Sequence, residues 1–283
     1  MTNEKGTLPN FLVIGAMKAG TTSLYEQLRR HPQVFMPQTK ESMFFFPTRN
    51  WELGVRWYER FFEDAGDRVA VGEASVNYTA YPAERDVPLR IITVLPEVRL
   101  VYLVRHPVDR MISHVWMDIR QRNADPSMSA EKSLLTNSRY LDVSRYSTQI
   151  ERYLMHFPQQ RLLAVKSEDL WSRREETLSN IFEFIGVDPA LMPVDVGGEW
   201  NRGDREKVTR PIGRTLRRIP AYRSLARATP EPLRKLKRRL TTDNVRRPSI
   251  SDEVKHELED RVRDDVRRLH DYMEPDFDGW GIA

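Results

Sequence analysis

The sequence predicts an α/β fold: one domain spanning 1–283, a central parallel sheet flanked by helices, and a basic helical segment towards the C-terminal end. Three observations carry that expectation. Phe11-Leu12-Val13-Ile14 is a β-favouring apolar run that passes through Gly15-Ala16-Met17-Lys18-Ala19-Gly20 into Thr21-Thr22-Ser23-Leu24-Tyr25, with Leu24 and Leu28 on one helical face. Arg99-Leu100-Val101-Tyr102-Leu103-Val104 is apolar almost without interruption, as a parallel strand covered on both faces must be. Strand and helix signals alternate along the chain between and after these two segments.

The bulk properties narrow the reading. A chain of 283 residues can bury a large core, and 40% hydrophobic with 30% charged residues suits a globular protein in water. No run of about eighteen apolar residues is present to cross a membrane. Met1-Thr2-Asn3-Glu4-Lys5-Gly6 lacks the charged-then-apolar form of a secretory leader, so a cytoplasmic setting is expected. The chain has no cysteine, which excludes disulfides, a thiol nucleophile and thiolate metal sites. Its six histidines, at 31, 106, 114, 156, 256 and 270, show no paired ligand spacing, and no metal site is expected. Charge is unevenly spread. Arg205 to Arg247 holds fifteen Lys/Arg against three Asp/Glu, a local +12 within a net charge of +4, which leaves −8 for the rest. Such a segment suits an anionic ligand, an acidic substrate or an anionic membrane surface, and equally a solvated helical face.

Taken in order, the first loop leaves backbone N–H groups unpaired at a helix N-terminus, where the positive end of the helix dipole points, and adds Lys18 and three hydroxyls. This is a P-loop-like phosphate cradle. It differs from the nucleoside triphosphatase loop, in which the lysine follows the last glycine, because Lys18 precedes Gly20 by two. The helix over 22–30 should end at His31-Pro32, since a residue before proline is driven out of the α region. Lys40-Glu41-Ser42-Met43-Phe44-Phe45-Phe46 sets a charged pair beside three aromatics, whose burial would hold Lys40 and Glu41 at a core edge. Trp51 to Phe62 reads as an amphipathic helix, and Arg68 to Ser75 as a buried strand ending in polar residues. Arg105 closes the strand that begins at Arg99, and Pro107 opens a helix carrying Ser113. Ligands of open α/β sheets bind beyond the carboxyl ends of the strands, so Lys18 and Arg105 should face one crevice. A helix over 145–157, a strand over 161–165 and a helix over 174–185 closed by Gly186 follow. The segment 205–247 should form short helices punctuated by Pro211, Pro220, Pro230 and Pro232. The last helix, 251–273, shows Val254, Leu258, Val262, Val266, Leu269 and Met273 at core spacing.

Phe11–Tyr25, together with Leu103-Val104-Arg105-His106-Pro107-Val108-Asp109-Arg110-Met111-Ile112-Ser113, resembles the paired signature of sulfotransferases that use 3′-phosphoadenosine 5′-phosphosulfate. The Lys40-Glu41…Phe44-Phe45-Phe46 segment is similar to the branch that holds the heparan sulfate N- and 3-O-sulfotransferases and many bacterial small-molecule or carbohydrate enzymes. The likeness covers residues 10 to 190 and, more loosely, the end of the chain. It implies that Lys18, Ala19, Gly20, Thr21, Thr22 and Ser23 hold the 5′ phosphosulfate and that Arg105 and Ser113 hold the 3′ phosphate, with Arg246 or Arg247 as a late nucleotide contact. It implies further that Lys18 and Glu41 are the catalytic pair, Glu41 being the base and His106 the next in line. The donor would leave as adenosine 3′,5′-bisphosphate, without a metal. The expected partner is a small-molecule, carbohydrate or glycolipid acceptor, sulfated on a hydroxyl rather than an amine, and not a nucleic acid. Phe44, Trp51, Trp57, Tyr78 and Trp116 are the aromatics expected around it. The basic segment 205–247 is expected to cap the donor or to make peripheral membrane contact. One departure stands out: the heparan sulfate enzymes carry a lysine after the glutamate of the second strand, and here Glu73 is followed by Ala74.

The residues alone leave two other classes open. A nucleotide kinase or triphosphatase would need a magnesium-holding aspartate where the strand ending at 105 offers arginine. A non-catalytic polyanion- or membrane-binding protein would rely on 205–247 and would tolerate loss of Lys18.

Overall fold

The computed structural model describes residues 6–192, 205–209 and 242–283. Its elements, in chain order, begin with β1 (Phe11–Gly15), α1 (Thr21–Arg30), β2 (Val34–Phe35), α2 (Val55–Glu59), β3 (Ala70–Ala74), α3 (Val87–Val94), β4 (Arg99–Val104) and α4 (Pro107–Gln121). They continue with α5 (Ala130–Thr136), α6 (Ser138–Asp142), α7 (Tyr146–Leu154), β5 (Leu162–Lys166), α8 (Asp169–Ser172), α9 (Arg174–Ile185), β6 (Arg205–Thr209), β7 (Thr242–Arg246) and α10 (Asp252–Leu269).

β1 to β5 form one parallel sheet in the order β2-β3-β1-β4-β5. All five residues of β1 and the last five of β4 are buried, which is why these near-continuous apolar runs take the centre. After β1 the chain builds β2 and β3 on one side and then crosses to β4 and β5 on the other. The strand order therefore switches between β1 and β4, and a crevice opens beyond their carboxyl ends. Gly15 closes β1 where nothing larger fits, since a Cβ there would lie 2.1 Å from Thr79 Oγ1. One core gathers Phe11, Leu24, Phe44, Val101, Leu178, Leu269 and Phe277, and a second packs Met111, Val115 and Ile250 against Leu258, Val262 and Val266 of α10.

The helix ends follow local chemistry. α1 stops at His31, which turns extended (ψ 128°) before Pro32, and α9 stops at Gly186 in the left-handed region (φ 86°). Ser251 caps α10 by accepting from Val254 N. Asp265, buried in α10, accepts from the backbone N–H and hydroxyl of both Ser147 and Thr148 at 2.6–3.0 Å, so a carboxylate of one helix serves the N-terminus of another, α7.

Two expectations need correction. The helix read over 51–62 is broken into a 3₁₀ turn (Trp51–Leu53), α2 and a second 3₁₀ stretch (Arg60–Ala65), because Gly54 sits at φ 75° and interrupts the ladder; Tyr58 and Phe62 still bury. The two ends of 205–247 are not short helices. β6 and β7 pair there as antiparallel strands, with Arg205 opposite Arg246 and Thr209 opposite Thr242. Their Val208, Thr209, Thr242 and Val245 are β-branched, which favours that choice. Residues 210–241, which hold the four prolines and most of the positive charge, lie outside the described residues. Among the described residues, no helix is long and apolar enough to cross a membrane.

Candidate active site

The loop between β1 and α1 is built for an anion. Gly20 begins α1 at φ 88°, where a side chain would be strained, and a Cβ there would also press on Ser167 Oγ at 3.2 Å. The first turn of α1 carries no acidic residue and its last turn carries Arg29 and Arg30, so the positive end of the helix dipole is left uncompensated beside Thr21, Thr22 and Ser23. Lys18 adopts a left-handed backbone (φ 73°) just before the helix.

β4 delivers the second group to the same place. The Arg105 guanidinium donates to the Lys18 carbonyl (Nη1 to O, 3.4 Å), joining residues 87 apart in sequence at the mouth of the β1–β4 crevice. Arg105 also lies 4.0 Å from Asp109, and Asp109, Ser113 and Met117 form the half-open stripe of α4, whose other faces bury. Ser113 thus stands on the side of α4 that Arg105 covers. One turn in, Arg110 is fully buried and holds the next carbonyl of the loop (Nη1 to Met17 O, 3.4 Å) while donating to Ser144 Oγ and Tyr140 O. It also donates to His114 Nδ1 at 3.1 Å. A guanidinium cannot accept, so that nitrogen must be unprotonated, and burial followed by the Arg110 charge pushes the His114 pKa down to about 2. His106 packs its ring 6.1 Å from Trp280 and gives its backbone N–H to Glu168.

The third component arrives from the segment after β2. Glu41 and Met43 both adopt left-handed backbones (φ 69° and 49°), conformations that cost about 1–3 kcal/mol each unless the surroundings impose them. The surroundings are the carboxyl end of β3. Glu41 N–H donates to Ala74 O, Val76 N–H donates to Glu41 Oε2 at 3.0 Å, and Met43 N–H donates to Ser75 Oγ. Behind them, Glu73 is fully enclosed and accepts from Tyr58 OH (2.6 Å), Tyr78 OH (3.1 Å) and Ser75 Oγ; burial raises its pKa against the pull of these donors. Lys40 then reaches back to the phosphate cradle. Its ammonium is 3.3 Å from Thr21 Oγ1, from Thr22 Oγ1 and from Glu41 Oε1.

The structure therefore brings Lys18, the Ala19–Ser23 cradle, Glu41 and Arg105 together, with Ser113 on the adjoining helix stripe. Arg246 belongs to β7 and Arg247 follows it. Of the aromatics expected around an acceptor, Phe44, Tyr78 and Trp116 are buried in the core, and Phe44 stacks on Tyr58 at 4.4 Å, so only the half-buried Trp51 and Trp57 keep an open edge. Lys40 and Glu73 stand in the motifs without a site role of their own, and Arg110 has none there; the structure makes all three functional candidates. Glu73 was visible as a lone charge inside a buried strand, whereas the partners of Arg110 lie up to 93 residues away and no local pattern shows them. Among the described residues no group of His, Asp and Glu could hold a metal ion.

A family model described as the sulfotransferase domain matches residues 8–197. The human bifunctional heparan sulfate N-deacetylase/N-sulfotransferase 2 is 29% identical over 238 residues, 75% of this chain and 27% of that protein. The human heparan sulfate glucosamine 3-O-sulfotransferase 3B1 is 29% identical over 191 residues, 64% of this chain and 46% of that protein. The chain thus spans between a quarter and a half of the length of these curated relatives. The crystal structure of a sulfotransferase from Alicyclobacillus acidocaldarius superposes with a TM-score of 0.70 at 23% identity, covering 97% of this chain and 99% of that one, and shares the fold.

Proposed function

The chain belongs to the sulfotransferase domain family, and from that membership we propose that it moves a sulfuryl group from 3′-phosphoadenosine 5′-phosphosulfate to a hydroxyl, less readily an amine, of a carbohydrate, glycolipid or small metabolite. The observation that supports this most is the hydrogen bond from Arg105 to the backbone carbonyl of Lys18, because it sets the end of β4 against the anion-binding loop, and a donor with phosphates at both ends of its ribose needs two such positions in one crevice. In this reading Gly20, Thr21, Thr22 and Ser23 hold the 5′ phosphate on the helix N-terminus, and Arg105 and Ser113 hold the 3′ phosphate. Ile250 joins the core that Met111 and Val115 of α4 help to form, so the chain after β7 returns to that helix, and on this reading Arg247, three residues earlier, is a further nucleotide contact.

Sulfuryl transfer, like phosphoryl transfer, is catalysed mainly by positioning and by stabilising charge on the leaving group. Lys18 neutralises the phosphate oxygen as its bond to sulfur breaks. Glu41 accepts, on a carboxylate oxygen, the proton that the acceptor releases as its oxygen bonds to sulfur. Two donors, Val76 N–H and the Lys40 ammonium, aim that carboxylate. The reading takes the whole chain as one domain, supported by Phe277 and Leu269 joining the core of Phe11, and places it in the cytoplasm, supported by the absence of cysteine. Thermal shift tests it: adenosine 3′,5′-bisphosphate without metal should raise the melting temperature more than ATP with magnesium, since only a ligand of the folded state stabilises it. Preference for ATP with magnesium would favour a kinase or triphosphatase instead.

A further inference from the structure

Lys40 has no part in the chemistry above beyond aiming Glu41, yet its position asks for one. An ammonium carries three N–H donors, and here all three have an acceptor at the same distance: two threonine hydroxyls of the phosphate cradle and the carboxylate of the candidate base, each 3.3 Å away. Its side chain is only 18% exposed, and burial holds its pKa below the ordinary lysine value, with Glu41 pulling it back up. It also sits against the positive end of α1, where a cation is disfavoured and no residue of the first turn compensates. Glu41 offsets only part of these costs, since burial still outweighs it. An anion between the threonines and Glu41 would remove them.

On the reading proposed above, that interval is where the terminal sulfuryl group must lie, beyond the 5′ phosphate on the cradle and in line with the proton acceptor. We propose that Lys40 is a catalytic residue that binds the oxygens of the transferring sulfuryl group. When the donor enters, the ammonium gives up its bonds to Thr21, Thr22 and Glu41 and takes the sulfuryl oxygens instead. This orients the group for in-line attack and frees Glu41 Oε1 for the acceptor proton. Without donor, the Lys40–Glu41 pair keeps the base engaged. The residue acts on the part of the donor that is transferred, not on the part that remains, and this separates it from Lys18, Arg105 and Ser113.

The inference rests on the sulfotransferase reading, and the test keeps the two apart. Isothermal titration would measure the affinities of 3′-phosphoadenosine 5′-phosphosulfate and of adenosine 3′,5′-bisphosphate for the wild type, Lys40→Met and Lys40→Arg. A lost charge-assisted contact is worth roughly tenfold or more in affinity. Lys40→Met should therefore weaken the sulfuryl-bearing donor about tenfold while leaving the bisphosphate within about threefold, and Lys40→Arg should restore most of the difference. Retained bisphosphate binding shows that the variant is folded, and Lys40→Gln replaces it should the methionine variant fail to fold. Equal weakening of both nucleotides, or of neither, overturns the role of Lys40 and leaves the family reading intact. A wild type that binds neither nucleotide overturns both.

Discussion

Lys18, Glu41 and Met43 are three of the five non-glycine residues with left-handed backbones among the described residues, and all three stand at the candidate site. Strain gathers there because the site needs side chains aimed where relaxed loops would not aim them. Lys18→Ala and Glu41→Gln should each abolish most turnover in an acceptor screen with labelled donor. Glu41→Gln should leave bisphosphate affinity nearly unchanged, since a proton acceptor for the second substrate need not touch the nucleotide; a variant with full turnover would move the base elsewhere. Glu73 anchors the segment that carries Glu41, through Ser75 to Met43 N–H and through Tyr78 to Phe45 N–H. Glu73→Gln should lower turnover with donor affinity kept, and steady-state kinetics with unchanged rates would reduce Glu73 to a core residue. His114 makes a pH prediction. Its pKa is depressed from the ordinary 6.5 to about 2, so an unfolded chain takes up a proton below pH 6.5 that the folded chain refuses. Stability should then fall as pH falls, by about 1.4 kcal/mol per pH unit from this group. Denaturant titrations between pH 6.5 and 5 should show a shallower fall in His114→Gln, which can still accept from Arg110 but cannot protonate. Identical slopes would remove His114 from the account. At this scale the motif residues Lys18, Glu41, Arg105 and Ser113 could be read from the sequence. Arg110 was less legible because its partners Met17, Tyr140 and Ser144 lie 30 to 93 residues away along the chain.

The elements that the sequence foretold best are those whose burial is uniform or whose ends carry strong local signals. β1 is apolar throughout and β4 after Arg99; α1 and α9 end at His31-Pro32 and Gly186; and α10 shows its stripe of Leu258, Val262, Val266 and Leu269. Where a local rule competed with a stronger one, the expectation slipped. The amphipathic pattern over 51–62 gave way to Gly54, and β2, two residues long, is too short to leave a periodic trace. The link between α10 and α7 is a tertiary event. Asp265 takes four hydrogen bonds from Ser147 and Thr148, at least 117 residues away, while buried. Asp265→Ala strands those donors, and the fold should lose about 2–4 kcal/mol. The denaturation midpoint should drop accordingly while bisphosphate affinity in the folded protein stays within error. A loss below about 0.5 kcal/mol would mean that water replaces the carboxylate.

At the scale of the molecule, strand order does what no single motif does. The switch between β1 and β4 sets the loop bearing Lys18 and the arginine ending β4 side by side, and β3 presents the Glu41 segment to the same mouth. That arrangement was legible because parallel sheets bind ligands at their carboxyl ends whatever the loops contain. The acceptor was not legible, because three of the five aromatics expected around it, Phe44, Tyr78 and Trp116, are buried. If one crevice holds both ends of a 3′,5′-phosphorylated nucleotide, calorimetric titration will show it as a preference. Wild type should bind adenosine 3′,5′-bisphosphate roughly ten- to a hundredfold more tightly than adenosine 5′-phosphate, and Arg105→Ala should erase that preference while changing the monophosphate little. Equal affinity of the wild type for the two nucleotides, or an Arg105→Ala variant that keeps the preference, would contradict it.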